Sequence, residues 1–302
     1  MIAAVDIGSN AARLLIKSTV LNEEDTCEIV DFYKELFLRI PIRLGDDVFK
    51  NGEISVQKLK MLVHMMKSFR QLMRTFDVTD YCVCATSAMR EAKNCKQVVK
   101  TVEKESGLKI DVISGEEEAD IVYDKRLEGF EDKMKTYAYV DVGGGSTEVV
   151  IINEGKIIFE HSFRVGTLRM LNTESQEVND FAIDDMKTQL GVVTKGFESI
   201  DIIGSGGNIN KLYKLATNKN KRNSSFSIKS LTDVYELLKP LTIADRMSAF
   251  SLRRERADVI VPAAEIFLAI ASVMKSQRIY VPMLGLADGI IDNLYENMKR
   301  ER

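Results

Sequence analysis

The chain has 302 residues, which suggests about two domains, and 45% of them are hydrophobic and 29% charged, the balance of a folded globular protein rather than a disordered one. Lys and Arg number 42 against 45 Asp and Glu, a formal net charge of −3. No global field therefore draws the chain to nucleic acid or to an anionic membrane, and any anion must be held by local features. With two histidines, multi-histidine zinc chemistry is excluded and a Ser-His-Asp triad disfavoured. The first residues have no basic region ahead of an apolar run, so no secretory signal is expected. The longest apolar stretch, 259–274, contains Pro262 and Glu265 and is too short to span a bilayer. Cys27, Cys82, Cys84 and Cys95 are widely spaced, as thiols of a reducing compartment are, and a cytoplasmic location is expected. Cys82 and Cys84, two apart in an apolar run, face one side of a strand; the pair reads as core, with a redox or metal role as the alternative.

Residues 2–7 form a short apolar strand ending in Asp6-Ile7-Gly8-Ser9-Asn10. Segments 14–20 and 28–39 read as two more strands, a meander around a tight glycine turn. A helix over 55–76 follows, with Leu59, Met61, Leu62, Met65, Met66, Phe69, Leu72, Met73 and Phe76 recurring at three and four. This Met-rich stripe reads as core; the alternative is a contact face in a homodimer. A strand at 81–85, a helix at 96–106, a strand at 110–113 and a helix at 116–127 complete the first series. The order then repeats: a strand at 137–142 ending in Asp141-Val142-Gly143-Gly144-Gly145-Ser146, strands at 148–152 and 156–164, and a long helix over 178–197. A strand at 201–204 runs into Gly204-Ser205-Gly206-Gly207 and a helix. Residues 217–227 are polar and basic and read as a loop, helices fill 231–250 and 257–275, a short strand 279–281, and a last helix 286–299.

Two βββαβα series, each opened by an Asp-x-Gly turn, imply a duplicated α/β fold. The expected domains are 1–122 and 123–289, with 290–302 packing back on the first, and the glycine loops are expected to face an inter-domain cleft.

Three glycine turns carry the chemical signal: Gly8-Ser9-Asn10, Gly143-Gly144-Gly145-Ser146-Thr147 and Gly204-Ser205-Gly206-Gly207-Asn208. Each is either a plain tight turn or a backbone nest whose N–H groups meet an anion, and the third opens a helix, whose N-terminus favours anions. Asp6, Asp141 and Glu148 flank these turns. Acids beside a bound phosphate are repelled unless a cation lies between them, which points to Mg²⁺ or another hard divalent cation; the alternative is that they bond the N–H groups of their own turns. Glu116, Glu117 and Glu118 open a helix, as the dipole alone favours, and a carboxylate there is suited to orienting water for attack on phosphorus. Arg90, just past a strand end, is suited to clamping a phosphoryl group or to a surface ion pair. Lys211, Lys214, Lys219, Lys221 and Arg222 form a basic cluster that either tracks a polyanion or is solvated.

Together, Val5 to Asn10, Ala85 to Ala92, Ile113 to Ala119, Val140 to Glu148 and Ile203 to Asn208 resemble the exopolyphosphatase and guanosine pentaphosphate phosphohydrolase family. Arg256-Ala257-Asp258-Val259-Ile260 and Gly285-Leu286-Ala287-Asp288-Gly289 add to the likeness, which keeps the motif order over essentially the whole chain. The resemblance implies two duplicated ribonuclease-H-like domains of the actin-like ATPase kind. It implies Glu118 as catalytic base, Arg90 as the arginine near the reacting phosphate, and Asp141 and Glu148 as the acids tied to Mg²⁺, with Asp6 beside them. Ser9, Asn10, Gly143, Gly144, Gly145, Ser146, Thr147, Gly206 and Gly207 become the phosphate contacts. Two departures stand out. Asp120 occupies a place where many members have arginine, and the chain ends after the two-domain core, where longer members carry a helical domain. The expected reaction is release of terminal phosphate from inorganic polyphosphate; the alternatives are guanosine pentaphosphate hydrolysis, a kinase of the same fold, and a non-catalytic nucleotide or polyphosphate sensor.

Overall fold

The computed structural model describes residues 1–21, 29–123, 135–173 and 175–300. The chain divides into two compact units, Met1–Lys125 with Leu286–Arg302, and Arg126–Gly285.

The first unit begins with β1 (Ile2–Ile7), β2 (Ala12–Leu21) and β3 (Ile29–Ile40), followed by α1 (Leu44–Asn51), α2 (Val56–Thr75), β4 (Asp80–Ala85), α3 (Ser87–Glu91), α4 (Cys95–Ser106), β5 (Asp111–Val112) and α5 (Gly115–Tyr123). The sheet order is β3-β2-β1-β4-β5, with β1–β2–β3 antiparallel and β1, β4 and β5 parallel. Alternation along β1 divides the sheet's faces: Ala3, Val5 and Ile7 join one core with Leu62, Met66 and Phe69 of α2, while Asp6 faces the other way. Most of the methionine stripe is core: Leu62, Met65, Met66, Phe69 and Met73 are buried, and burial of each such side chain contributes about 1.5–3 kcal/mol, while Met61, expected in the same stripe, is exposed because it lies off the buried face of α2. Ser55 caps α2 by accepting from the Lys58 N–H, which fixes where the helix starts.

The second unit runs β6 (Tyr137–Val142), β7 (Thr147–Asn153), β8 (Lys156–Phe163), α6 (Thr167–Asn172), α7 (Gln176–Val193), β9 (Asp201–Ser205), α8 (Gly207–Leu215), β10 (Lys219–Asn220), β11 (Ser225–Ser227), α9 (Ile228–Leu238), α10 (Ile243–Phe250), α11 (Arg254–Ala257), α12 (Ile260–Val273) and β12 (Arg278–Tyr280). Its sheet, β10-β11-β12-β9-β6-β7-β8, repeats the first pattern: a three-strand antiparallel meander, then β9 parallel to β6 and β12 parallel to β9. β10 and β11, beyond β12 at one end, are additions. This is the duplicated actin-like architecture. The apolar stretch at 259–274 is α12, a core helix buried on most of its circumference, with Pro262 in the first turn, where a missing N–H costs nothing. Among the described residues no helix is long and apolar enough to cross a membrane.

Three sequence expectations are corrected. Residues 217–227 are not loop throughout: β10 and β11 pair there, and buried Phe226 anchors them. The expected helix over 231–250 is two helices, because Pro240 ends α9 and Thr242 starts α10 with a capping box to Asp245. The helix at 178–197 lies at Gln176–Val193 and is preceded by α6. The ends of the expected strand at 28 and helix at 124–127, and Cys27, lie outside the described residues.

The last helix, α13 (Leu286–Arg300), packs on β1, β4 and α5 of the first unit. Two residues of the Gly285 to Gly289 motif explain that placement. Asp288 pairs with Lys17 of β2 at 3.0 Å, and Gly289 lets the helix lie against α5, since a Cβ there would sit 2.1 Å from the Ile121 carbonyl oxygen. Gly289→Ala is accordingly expected to destabilise the protein by about 1–3 kcal/mol, read as a lowered thermal midpoint, because the obstacle is backbone.

Candidate active site

Both units build the same loop. Gly8 to Ala11 joins β1 to β2 and Gly143 to Ser146 joins β6 to β7, each closed by an i→i+3 bond: Gly8 N–H to Ala11 O at 3.1 Å and Gly143 N–H to Ser146 O at 2.9 Å. These glycines have ordinary backbone angles, so steric room and not a left-handed conformation calls for them; a Cβ on Gly143 would stand 3.0 Å from the Ser146 oxygen. In each unit a short helix takes up the loop's carbonyls. Arg43 and Gly45, at the start of α1, donate to Asn10 O and Ser9 O at 3.0 and 2.9 Å. Thr167 donates to Gly143 O at 3.1 Å, and Leu168 and Arg169 to Gly144 O at 2.8 and 2.9 Å. The Arg169 side chain adds Nε to Gly145 O at 2.7 Å. Helix N-termini carry amides that lack intrahelical acceptors, and here the loop supplies those acceptors. Among the described residues, the N–H groups of Gly144, Gly145 and Ser146 donate to no carbonyl. The loop thus keeps its negative ends fastened and its amides available, the electrostatics of an anion nest.

The matching strand positions then diverge. In the first unit Asp6 stands opposite Arg13 across β1–β2 and the two form an ion pair, so this buried carboxylate has its counter-charge within the sheet. In the second unit the equivalent position, Asp141, stands opposite another acid, Glu148. Glu148 is buried and accepts from Ser146 Oγ at 2.6 Å and Ser162 Oγ at 2.9 Å. Ser146 therefore commits its hydroxyl proton to Glu148, and a phosphate contact from this residue falls to its N–H. Thr147 is fully buried and donates its hydroxyl to Val165 O at 2.6 Å; its part is to fasten the loop to the chain behind it. Among the described residues no three His, Cys, Asp or Glu side chains converge. Two carboxylates with hydroxyl support are nevertheless a hard-oxygen donor set that fits Mg²⁺, which keeps several waters and takes one or two carboxylates along with substrate phosphates.

The third turn lies at the C-terminal end of β9. Gly206 has φ 91°, and a Cβ there would also stand 2.7 Å from Asp141 Oδ1, so only glycine fits. The turn opens α8, whose first amides are available to an anion. Arg256, quoted from the sequence without a role, lies over this turn: its guanidinium bonds Asn208 Oδ1 and approaches within 2.7 Å of where a Gly207 side chain would begin. Of the basic cluster, Lys219 is spent on the Tyr213 and Lys214 carbonyls at the end of α8, and Lys211 on Phe250 O.

In the first unit Ser9 carries the loop-to-helix link. Its hydroxyl lies 2.7 Å from Ser87 Oγ and accepts from the Ala88 N–H at 3.2 Å, which holds the start of α3 and so the base of Arg90. Asn10 is half-buried in the same loop. Arg90 donates Nη1 to Ile113 O at 2.6 Å and approaches Glu118 Oε2 at 3.7 Å. The three acids of α5 divide cleanly. Glu116 is exposed. Glu117 closes a capping box, accepting from the Ser114 N–H at 2.7 Å while Ser114 Oγ accepts from the Glu117 N–H at 3.0 Å. Glu118 alone turns inward to Arg90, and Asp120 is exposed. The fold thus brings together two residues 28 positions apart that the sequence could only name separately. It also reveals two that sequence reading missed, Gly166 and Arg169, whose partners are backbone atoms of the Gly143 to Ser146 loop.

Known proteins agree with this architecture. The chain is similar to the crystal structure of an exopolyphosphatase from Cytophaga hutchinsonii, with a TM-score of 0.85 and 20% identity over 98% of both chains. It is similar to the Aquifex aeolicus member of the Ppx/GppA protein family, with a TM-score of 0.75 and 24% identity over 100% of this chain and 98% of that one. It is 32% identical, over 171 residues, to a bifunctional 3-dehydroquinate synthase/phosphatase of Fusobacterium nucleatum; the match spans 56% of this chain but only a quarter of that relative's length. The family model described as the Ppx/GppA phosphatase family matches residues 38–298, and the chain belongs to that family.

Proposed function

We propose that this protein is a Mg²⁺-dependent phosphohydrolase that releases the terminal phosphate of inorganic polyphosphate. The observation that carries the reading is the β6–β7 loop, with its carbonyls tied back to α6, three consecutive amides available and two carboxylates at its base. The amides of Gly144, Gly145 and Ser146, and those that open α8 after Gly206 and Gly207, bind phosphoryl oxygens. Asp141 and Glu148 hold the hard cation, and Ser146 and Ser162 fix the orientation of Glu148. When bound, that cation supplies neutralising charge for phosphate oxygens. The family resemblance gives Glu118 the part of orienting the attacking water and accepting its proton, and Arg90, placed by the Ile113 carbonyl and 3.7 Å from Glu118, the part of the phosphate arginine. Little covalent work falls to the protein in phosphoryl transfer, so most of the rate comes from positioning and charge stabilisation. A net charge of −3 fits this scheme only because the positive field is local, in backbone dipoles and the cation. The choice of polyphosphate follows the family and the exopolyphosphatase of the same fold.

The test is phosphate release from short and long polyphosphate and from guanosine pentaphosphate, with Mg²⁺ and with a chelator. Release from polyphosphate that disappears on chelation is expected. Release from the nucleotide alone would move the protein to guanosine pentaphosphate hydrolysis by the same residues, and binding of either without release would make it a sensor.

A further inference from the structure

Among the described residues, one carbonyl of the β6–β7 loop is held by a side chain and not by a backbone amide. Gly143 O accepts from the Thr167 N–H, Gly144 O from the Leu168 and Arg169 N–H groups, and Ser146 O from the Gly143 N–H. Gly145 O accepts from Arg169 Nε at 2.7 Å. The first loop differs at this one position. Asn10 stands there, and its carbonyl accepts from the Arg43 N–H at 3.0 Å, while Ser9 O, like Gly144 O, is held by a backbone amide, that of Gly45. Where the first loop uses a backbone donor, the second uses a guanidinium.

A trans peptide sets its C=O and N–H on opposite sides, and the chain has no cis bond among the described residues. The Gly145 carbonyl and the Ser146 N–H share one such plane. Holding the oxygen towards Arg169 therefore points the Ser146 N–H the other way. That amide matters because Ser146 gives its hydroxyl to Glu148 at 2.6 Å, which leaves the N–H for an anion. Glycine beside the plane lets it tilt, and the Arg169 bond removes that freedom. A charged donor on the oxygen also polarises the peptide and strengthens the N–H at its other end. Arg169 is fixed at its base, since its own N–H bonds Gly144 O at 2.9 Å. It lines a cavity of about 210 Å³ with Val165, Met170, Val178 and Ala182, so a replacement must keep the length of the side chain to keep that wall.

We propose that Arg169 is a positioning residue for phosphate binding: through the Gly145 carbonyl it aims the Ser146 N–H at the phosphoryl group. The inference rests on the phosphate-binding reading of this loop and names the residue that keeps the amide in place.

Variants of similar length isolate the bond. In Arg169→Gln, Nε2 stands as many bonds from Cα as arginine Nε, so the donor is kept and the charge lost. In Arg169→Met a methyl carbon takes that place, so the packing is kept and the donor lost. Arg169→Lys keeps the charge and puts a methylene there. The value of kcat/KM for polyphosphate is expected to fall about 10²-fold with methionine, with glutamine restoring most of the loss and lysine little. In a Glu118→Gln background, which slows turnover, the Ser146 backbone amide resonance is expected to shift on addition of tripolyphosphate. The shift should persist with Arg169→Gln and vanish with Arg169→Met. Circular dichroism checks each fold, and the glutamine and lysine variants carry the comparison if methionine does not fold. A methionine variant that matches the parent, or a glutamine variant no better than methionine or lysine, overturns this inference and leaves the phosphate reading standing. A parent that neither releases phosphate nor shifts this resonance overturns both.

Discussion

Glu118→Gln is expected to lower phosphate release from polyphosphate by about 10²–10⁴-fold, the usual contribution of a general base. Glutamine keeps the size of the side chain and loses the capacity to take a proton together with the negative charge that faces Arg90. The start of α5 does not depend on Glu118, because Ser114 and Glu117 cap it reciprocally. The fall should therefore appear in kcat with KM little changed, the signature of an interaction made in the transition state. Initial rates at saturating polyphosphate, with thermal unfolding run in parallel, check this. Glu116→Gln, at an exposed position on the same turn, serves as the control and should keep full activity. Turnover retained in Glu118→Gln would remove Glu118 from the base role and leave it as the partner that positions Arg90.

Periodicity and turn chemistry made the strands and long helices legible, along with the repeat. Asp6 and Asp141 each end a short apolar strand ahead of glycine, and both turned out to open a meander in a sheet of the same order. What stayed hidden was held by short elements. α1 and α6, of 8 and 6 residues, are too short to show a period, and helices of that length draw their stability from tertiary bonds. Yet their first amides hold the loop carbonyls. Gly166 and Arg169 were missed for that reason. The choice among Glu116, Glu117 and Glu118 was closer to hand: Ser114 and Glu117 have capping-box spacing, which already assigns one of the three acids to the helix end. The difference between Asp6 and Asp141 was also present in the chain. It lies in the residue across the hairpin, Arg13 in one case and Glu148 in the other, and becomes visible once register is known.

Gly166→Ala is the second substitution with a large expected effect, and it tests the phosphate loop without touching a side chain. Gly166 has φ −157° and ψ 155°, extended backbone that any residue adopts, so alanine brings no conformational strain. The difficulty is position. A Cβ there would sit 2.5 Å from the Gly145 carbonyl carbon and 2.6 Å from the amide nitrogens of Gly145 and Ser146, and backbone cannot swing aside as a side chain does. Either α6 or the loop must move, by something near an ångström, and a misplacement of that size costs about 10²-fold in rate. The expected result is a loss of about 10²-fold in kcat/KM together with about 1–3 kcal/mol of stability from overpacking. Gly191→Ala separates the two effects. Gly191 is exposed on α7, its Cβ would meet only Val273 Cγ1 at 3.9 Å, and alanine there should add about 0.5–1 kcal/mol with activity unchanged. Combining the two substitutions should restore part of the stability and none of the activity, since the sites are independent and the loop would still be displaced. If activity instead returned with stability, the defect of Gly166→Ala would be one of folding, and the amides of Gly145 and Ser146 would lose their place in phosphate binding.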